Sequence, residues 1–237
     1  MITIPDFHRS PYPYFLIGAL TLGFILGNVF MRLRGINKLT RFYITFITLV
    51  SVLSFSFSYT AKGGLDIRSL GFDGIFGGAG FLAGIFASAC IFKEHNISIL
   101  TSWVGVAPLM YSISKIGCFL VGCCRGFCYD GPMNLVYPDS GTVGYFPVQI
   151  VDSLCFIIVF LLWFIMFLKR KDSFASIFII VYLSVAIRFI TDFFRLSHQD
   201  KILSGTQLIL LFGVSIVIIV NILISKKWVR SKEYGRK

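Results

Sequence analysis

Arg188, Asp192 and Arg195 stand at i, i+4 and i+7 at the end of an otherwise apolar run, a spacing that places all three on one face of a helix. An ionisable group inside a bilayer costs a few kcal/mol or more and is kept only where it meets a partner or a cavity. Asp192 can neutralise one arginine, and the pattern predicts that the other is left for an anion such as a phosphate. The plainer reading is an internal ion pair with Arg195 at the water interface. Lys115 is a second intramembrane cation, near the end of another apolar run, although its four-carbon stem could simply snorkel the ammonium to the headgroups. Gln149 and Asp152 open the run that follows.

Cys118 lies one turn beyond Lys115, and Cys123, Cys124 and Cys128 follow in SKIGCFLVGCCRGFCYD, so that four of the six cysteines fall within eleven residues. Such a cluster could bind a metal, form disulfides, or supply a thiolate whose pKa is lowered by Lys115 or Arg125. The spacing C-x4-C-C-x3-C is not a paired C-x2-C zinc pattern, and adjacent cysteines rarely ligate together. The expectation is therefore an outer-face disulfide and no metal. Cys90 and Cys155 sit in apolar runs and read as packing. In FDGIFGGAGFLAG, the glycines at 77, 78, 80 and 84 let a helix or a lipid headgroup approach closely, and helix packing accounts for them as well as a site does.

The elements that must position these residues follow from composition. Of 237 residues 56% are hydrophobic and 26 are phenylalanine, with a mean hydropathy of +0.82. So much large apolar surface cannot be hidden in a water-surrounded core of this size, and the fold class is all-α, polytopic and integral to a membrane. Seven stretches approach the roughly 20 residues that cross a bilayer, at about 14–31, 43–59, 73–92, 98–121, 149–168, 174–194 and 205–224, in a single transmembrane domain over 1–237. The first could be misread as a signal peptide, but its leader MITIPDFHRSPYPY has no Lys/Arg-rich start. Residues 122–148, rich in Gly, Pro and Tyr, are too polar for a span and too long for a tight turn; they should cap one face as a lid or entry loop.

The net charge of +11 does not form a continuous basic face, which argues against nucleic acid as a partner. It orients the spans instead. Fourteen Lys/Arg fall on one side: Arg32, Arg34, Lys38 and Arg41 in connection one, Lys93 in connection three, Lys169, Arg170 and Lys171 in connection five, and six more from Lys226 to Lys237 in the C-terminal tail. Six fall on the other side, namely Arg9, Lys62, Arg68, Arg125, Arg195 and Lys201. The richer side should be cytoplasmic, with the N-terminus outside. Lys115, Gln149, Asp152 and Arg188 then all lie in about the outer third of the hydrocarbon.

SKIGCFLVGCCRGFCYD, followed by FPVQIVDSL, RFITDFFR and LSGTQ, resembles in order and spacing the prolipoprotein diacylglyceryl transferases of the bacterial cytoplasmic (inner) membrane. The resemblance runs from span three to span seven. It implies an enzyme, active face outward, that moves the diacylglyceryl group of phosphatidylglycerol onto the thiol of a prolipoprotein cysteine and releases glycerol phosphate, with no metal and no cofactor. Arg188 and Asp192 match an arginine and an acid of the family pattern, and Gly117, Phe119, Gly122, Gly126, Pro147, Gln149 and Gln207 match its scaffold. Lys115 stands where the family usually has an arginine, Cys118 where it has asparagine, Cys123 where it has glutamate and Phe146 where it has a histidine. The histidine of the span-three glycine motif is also missing, and His8, His95 and His198 all lie outside the spans. These departures imply a divergent member, with another thiol acceptor or reduced activity.

The expected site thus comprises Arg188, Asp192, Lys115 and Asp152 as catalytic residues, with Gly77, Gly78, Cys118, Cys123, Arg125, Gln149, Arg195 and Gln207 binding substrate. Two other classes compete. A membrane thiol-redox or metal-handling protein would depend on Cys123, Cys124 and Cys128, whereas a non-catalytic lipid-binding or transport protein usually shows internal symmetry, which is not visible in this sequence.

Overall fold

The structure is a computed structural model that describes residues 1–7, 10–60, 74–169, 173–198 and 202–234; the side chains of 58–60, 74–75 and 223–234 are not described. Arg9, Lys62, Arg68, Arg170, Lys171, Lys201 and the basic tail side chains, which entered the charge argument, lie outside what is described, as does His8. Among the described residues seven α-helices run in order: α1 (Tyr12–Leu33), α2 (Lys38–Thr60), α3 (Gly74–Ile91), α4 (Asn96–Val121), α5 (Val148–Leu168), α6 (Phe174–Asp192) and α7 (Gly205–Tyr234). Two short strands, β1 (Ile2–Thr3) and β2 (Leu135–Val136), pair in parallel.

Six of the helices are long and apolar enough to cross a membrane, and the apolar part of α3, Phe76–Ile91, is shorter. Large side chains stay exposed along them, among them Phe46, Phe86, Ile158 and Phe212. In water that surface would aggregate; in lipid it is solvated. The chain is an all-α polytopic membrane protein. Two helices outrun the apolar stretches that predicted them. Helix α2 starts at Lys38, five residues early, because the Asn37 side chain caps it through Oδ1, accepting from the Thr40 amide at 2.8 Å. Helix α7 continues through Tyr234 into the basic tail.

The helices group into two compact units: Met1–Ala19 with Pro108–Ile165 and Phe178–Lys237, and Leu20–Ala107 with Met166–Ile177. In the second unit α3 packs on α2 through glycine. A Cβ at Gly80 would strike the Ser51 carbonyl oxygen, and one at Gly84 would come within 2.7 Å of the Thr48 Cα, so these backbones touch only because neither residue has a side chain. Trp103, fully buried, is met edge-on by Phe24 and Phe81 at 5.1 and 5.8 Å. Of the glycine motif, Gly80 and Gly84 therefore pack helices, Gly77 is buried, and Gly78 faces open space.

In the first unit, residues 122–148 form an ordered cap rather than a slack loop. Backbone hydrogen bonds tie Phe127 to Phe194, Leu196 to Arg125, Tyr129 to Gly144, and Leu135 to Tyr145. Ile4, Leu135 and Tyr137 make a small buried cluster backed by Phe119 and Tyr145. Gly126 is required here, since any Cβ would collide with the Phe146 carbonyl oxygen. Below the cap, a Ser112–Ser153 hydrogen bond of 2.8 Å joins α4 to α5.

Candidate functional site

The last turns of α4, the end of α6 with the residues just after it, and the start of α5 carry five charged side chains in one chain of contacts. Arg188 Nη1 lies 2.8 Å from Asp192 Oδ1, one turn on along α6. Arg195 reaches the same oxygen through Nε at 3.6 Å and, with Nη2, meets Asp152 Oδ2 of α5 at 2.8 Å. Lys115 Nζ of α4 stands 3.9 Å from that Asp152 oxygen and 4.9 Å from the centre of the Tyr111 ring. Lys115, Asp152, Asp192 and Arg195 are all buried, Asp152 completely.

Arg188, Asp192 and Arg195 do meet one another, but the expectation of a free arginine is corrected. Neither arginine is left free by Asp192, because a second carboxylate, from α5, takes the other end of the Arg195 guanidinium. A planar guanidinium presents its donors in a rigid fork, so its two ends can face acceptors on different helices. Lys115 does not snorkel to the surface but is buried. Three cations face two carboxylates, so the cluster holds one positive charge in excess. The Asp152 Oδ1 and Arg195 Nε atoms are buried and have no hydrogen-bond partner among the described residues. The cluster is thus buried, unequal in charge and partly unsatisfied.

Ser204, which sequence reasoning passed over, anchors the far side. Its hydroxyl donates to Asp192 Oδ2, and it accepts the Gln207 amide N–H at 3.1 Å while Gln207 Oε1 accepts the Ser204 N–H at 2.9 Å. This is a capping box at the start of α7, and the S-x-x-Q of LSGTQ was the signal for it. With Gln207 Nε2 donating to the Phe189 carbonyl at 3.2 Å, both ends of that amide are engaged, and it acts as scaffold joining α6 to α7.

Gln149 is fully buried; its Nε2 donates to the Cys123 carbonyl at 3.0 Å and to the Tyr137 hydroxyl at 3.3 Å, while Oε1 has no partner among the described residues. It thereby holds the turn that carries the cysteines. Gly122 and Cys124 both adopt positive φ, +72° and +56°, and the thiols of Cys118, Cys123 and Cys124 lie within 4.8 Å of one another. All six cysteines are free thiols, so the expected disulfide is not formed; Cys128 stands outside the trio, where it pairs through its backbone with Tyr145. Hydrogen bonding from the Cys118 and Cys123 thiols, helped by the charges of Lys115 and Arg195, lowers the pKa of Cys124, whereas hydrogen bonding with Cys118 and Cys124 raises that of Cys123.

Arg125 sits apart from the five-membered cluster. It grips Asp139 with Nη2 at 2.7 and 2.8 Å from the two carboxylate oxygens, donates through Nε to the Gly122 carbonyl, and lies over the Tyr137 ring at 4.5 Å. The guanidinium holds the Asp139 carboxyl below the usual range, and burial pushes the Tyr137 phenol up to about 12. A cleft of about 240 Å³ opens beside them, lined by Asp6, Phe7, Pro11, Val121, Arg125 and Tyr137 among others; Lys115 and Arg188 do not line it. Phe146, at the position where a histidine was expected, stacks on Phe127 at 5.3 Å and offers no proton. His198 is buried edge-on to Phe193 at 4.6 Å, with Nδ1 unpartnered among the described residues.

The structure thus brings together Lys115, Asp152, Arg188, Asp192 and Arg195, flanked by Gln149, Gln207, Cys118 and Cys123. Gly77 and Gly78 belong to the other unit.

Comparison with known proteins agrees with the motifs. The family described as prolipoprotein diacylglyceryl transferase matches residues 1–225. The phosphatidylglycerol–prolipoprotein diacylglyceryl transferase of Clostridium tetani (strain Massachusetts / E88) is 30% identical over 139 residues, which cover 54% of this chain and 55% of that protein. The chain therefore spans about half the length of this relative. A match along nearly the whole chain, over a cationic cluster assembled from three of the four motifs and anchored by the fourth, settles the family: the chain belongs to the prolipoprotein diacylglyceryl transferases.

Proposed function

We propose that this protein transfers the diacylglyceryl group of phosphatidylglycerol to the thiol of a prolipoprotein cysteine, at the outward face of the bacterial cytoplasmic membrane. The observation that carries this reading is the single positive charge in excess among Lys115, Asp152, Arg188, Asp192 and Arg195, held where the helices end. An anionic phosphodiester entering from the outer leaflet would balance it.

In the reaction the acceptor sulfur attacks the diacylglyceryl carbon that bears the phosphate. A C–S bond forms, the C–O bond breaks, and its electron pair leaves with the glycerol phosphate. Negative charge grows on the leaving oxygens as the bond breaks, and preorganised cations stabilise that growth more than they stabilise the bound lipid. Arg188, at the end of the ion chain, and Lys115, only loosely held by Asp152, are the residues suited to meet the phosphate. Arg195 and Asp192 position them. The thiol proton has an acceptor in Asp152 Oδ1, which has no hydrogen-bond partner among the described residues. Gln149 and the cap fix the acceptor's approach, and Arg125 offers a cation at the cleft mouth.

The test is mass spectrometry of a synthetic lipobox peptide after incubation with the purified protein and phosphatidylglycerol vesicles. The reading expects a gain of one diacylglyceryl group on the cysteine; an unmodified peptide under conditions where another family member modifies it would sink the reading.

A further inference from the structure

The thiols of Cys118, Cys123 and Cys124 converge to within 4.8 Å of one another without forming a disulfide. Three thiolates on one zinc ion, each bonded at about 2.3 Å, are separated by roughly 3.8 Å in tetrahedral and roughly 4.0 Å in trigonal geometry. The trio would need to contract by only about 1 Å. Read along the chain, adjacent cysteines argue against a shared ion. In space the left-handed backbone of Cys124, one residue after Cys123 and two after the left-handed Gly122, turns both thiols onto Cys118 at the last turn of α4.

Charge gives a second, independent reason. Lys115 stands three residues before Cys118 on the same face of α4, and a cation there favours the thiolate form that a metal needs. A third observation concerns access: Cys118 is buried, Cys123 half-buried and Cys124 exposed, so an ion could enter from one side and keep a position open there.

We propose that Cys118, Cys123 and Cys124 form a three-thiolate zinc site with its fourth coordination position open. Three S–H bonds are exchanged for three Zn–S bonds, three protons go to solvent, and no electrons are transferred. The open position would take the acceptor thiol as a thiolate: coordination would lower the thiol's pKa, and its proton would pass to the acceptor already assigned, Asp152. That role rests on the transfer reading, whereas metal binding itself does not.

The experiment uses the purified full chain in detergent, fully reduced and kept anaerobic, titrated with Zn²⁺ for bound-metal analysis and with Cd²⁺ for the thiolate charge-transfer band. One ion per chain is expected, with affinity reduced about 100-fold or more in Cys118→Ser, Cys123→Ser and Cys124→Ser and unchanged in Cys128→Ser. Absence of the band, or equal loss in Cys128→Ser, overturns the site. If the serine variants fail to fold, the unaltered protein still decides the matter: Zn²⁺ should protect Cys124 from maleimide alkylation and leave exposed Cys128 reactive, and lack of protection overturns the proposal. A disulfide within the trio in freshly purified, unreduced protein does so as well. Adding the lipobox peptide should strengthen the Cd²⁺ band by one further thiolate; an unchanged band removes the role of the open position. Metal binding without any lipid transfer would count against the transfer reading alone.

Discussion

In the unit containing α2 and α3, the buried polar side chains among the described residues are short hydroxyls, Thr48, Ser56, Ser88, Thr101, Ser102 and Ser176; in the unit containing the cap they include Lys115, Asp152, Asp192 and Arg195. A hydroxyl such as Thr48, donating to the Ile44 carbonyl of its own helix at 2.8 Å, costs little to bury and lets α3 come close. Buried ions are another matter. Replacing an ion pair by packed apolar residues is often neutral or stabilising, so a five-membered cluster with unequal charges is poorly explained as a stabilising device. The contrast teaches that close packing and charge are kept in different parts of this sequence, and that the charged part is the one to test for chemistry.

The largest effect should come from Arg195→Ala, which strips Asp152 of its 2.8 Å partner and leaves only Lys115 at 3.9 Å. Breaking a buried pair from one side costs on the order of 3–5 kcal/mol, to be read in denaturant or thermal unfolding in detergent, and a loss below about 1 kcal/mol would mean that the cluster is well hydrated. Arg188→Ala should leave the fold largely intact, because Asp192 keeps Arg195 and Ser204, yet lower transfer to the lipobox peptide by about 100- to 1000-fold. Undiminished transfer would erase the functional half of the contrast. In the other unit, Gly84→Val forces a side chain against the Thr48 backbone and should cost about 1–3 kcal/mol, while the rate per folded molecule stays the same. A change in that rate would show that the packing unit also sets the chemistry.

The smallest effect concerns Asp139, an exposed carboxylate whose pKa is lowered by Arg125. A lowered folded pKa means that its contribution is present above the ordinary carboxylate pKa and is lost as pH falls through the folded value. Asp139→Asn should therefore melt slightly below the unaltered protein at neutral pH, and the two curves should merge in acid. A gap that persists in acid would assign the difference to something other than this ion pair.

Much of this was legible in the sequence, for identifiable reasons. The helical period is local, so Arg188, Asp192 and Arg195 could be placed on one face from spacing alone. Asp152 could be named as a buried acid, but its pairing with Arg195 spans 43 residues and two helices, and no periodicity reports such a contact. Convergence of the three thiols depends on positive φ at a non-glycine residue, a conformation that residue type argues against. The capping box at Ser204 was readable and passed over. The pairing of Ile2 and Thr3 with Leu135 and Val136 was beyond reach, because two-residue strands carry almost no pattern.

That last pairing has a topological consequence. Residues joined by a backbone ladder must sit on the same side of the bilayer, so the chain between β1 and β2 crosses it an even number of times. Among the described residues α1, α2 and α4 are long and apolar enough to cross and α3 carries a shorter apolar stretch, so a crossing by α3 is what would keep the number even. The bridge between Gly126 and Arg195 imposes the same rule on α5 and α6, which satisfy it as a pair. Two small contacts at the edge of the molecule thus support a count of spans that hydropathy by itself leaves one short.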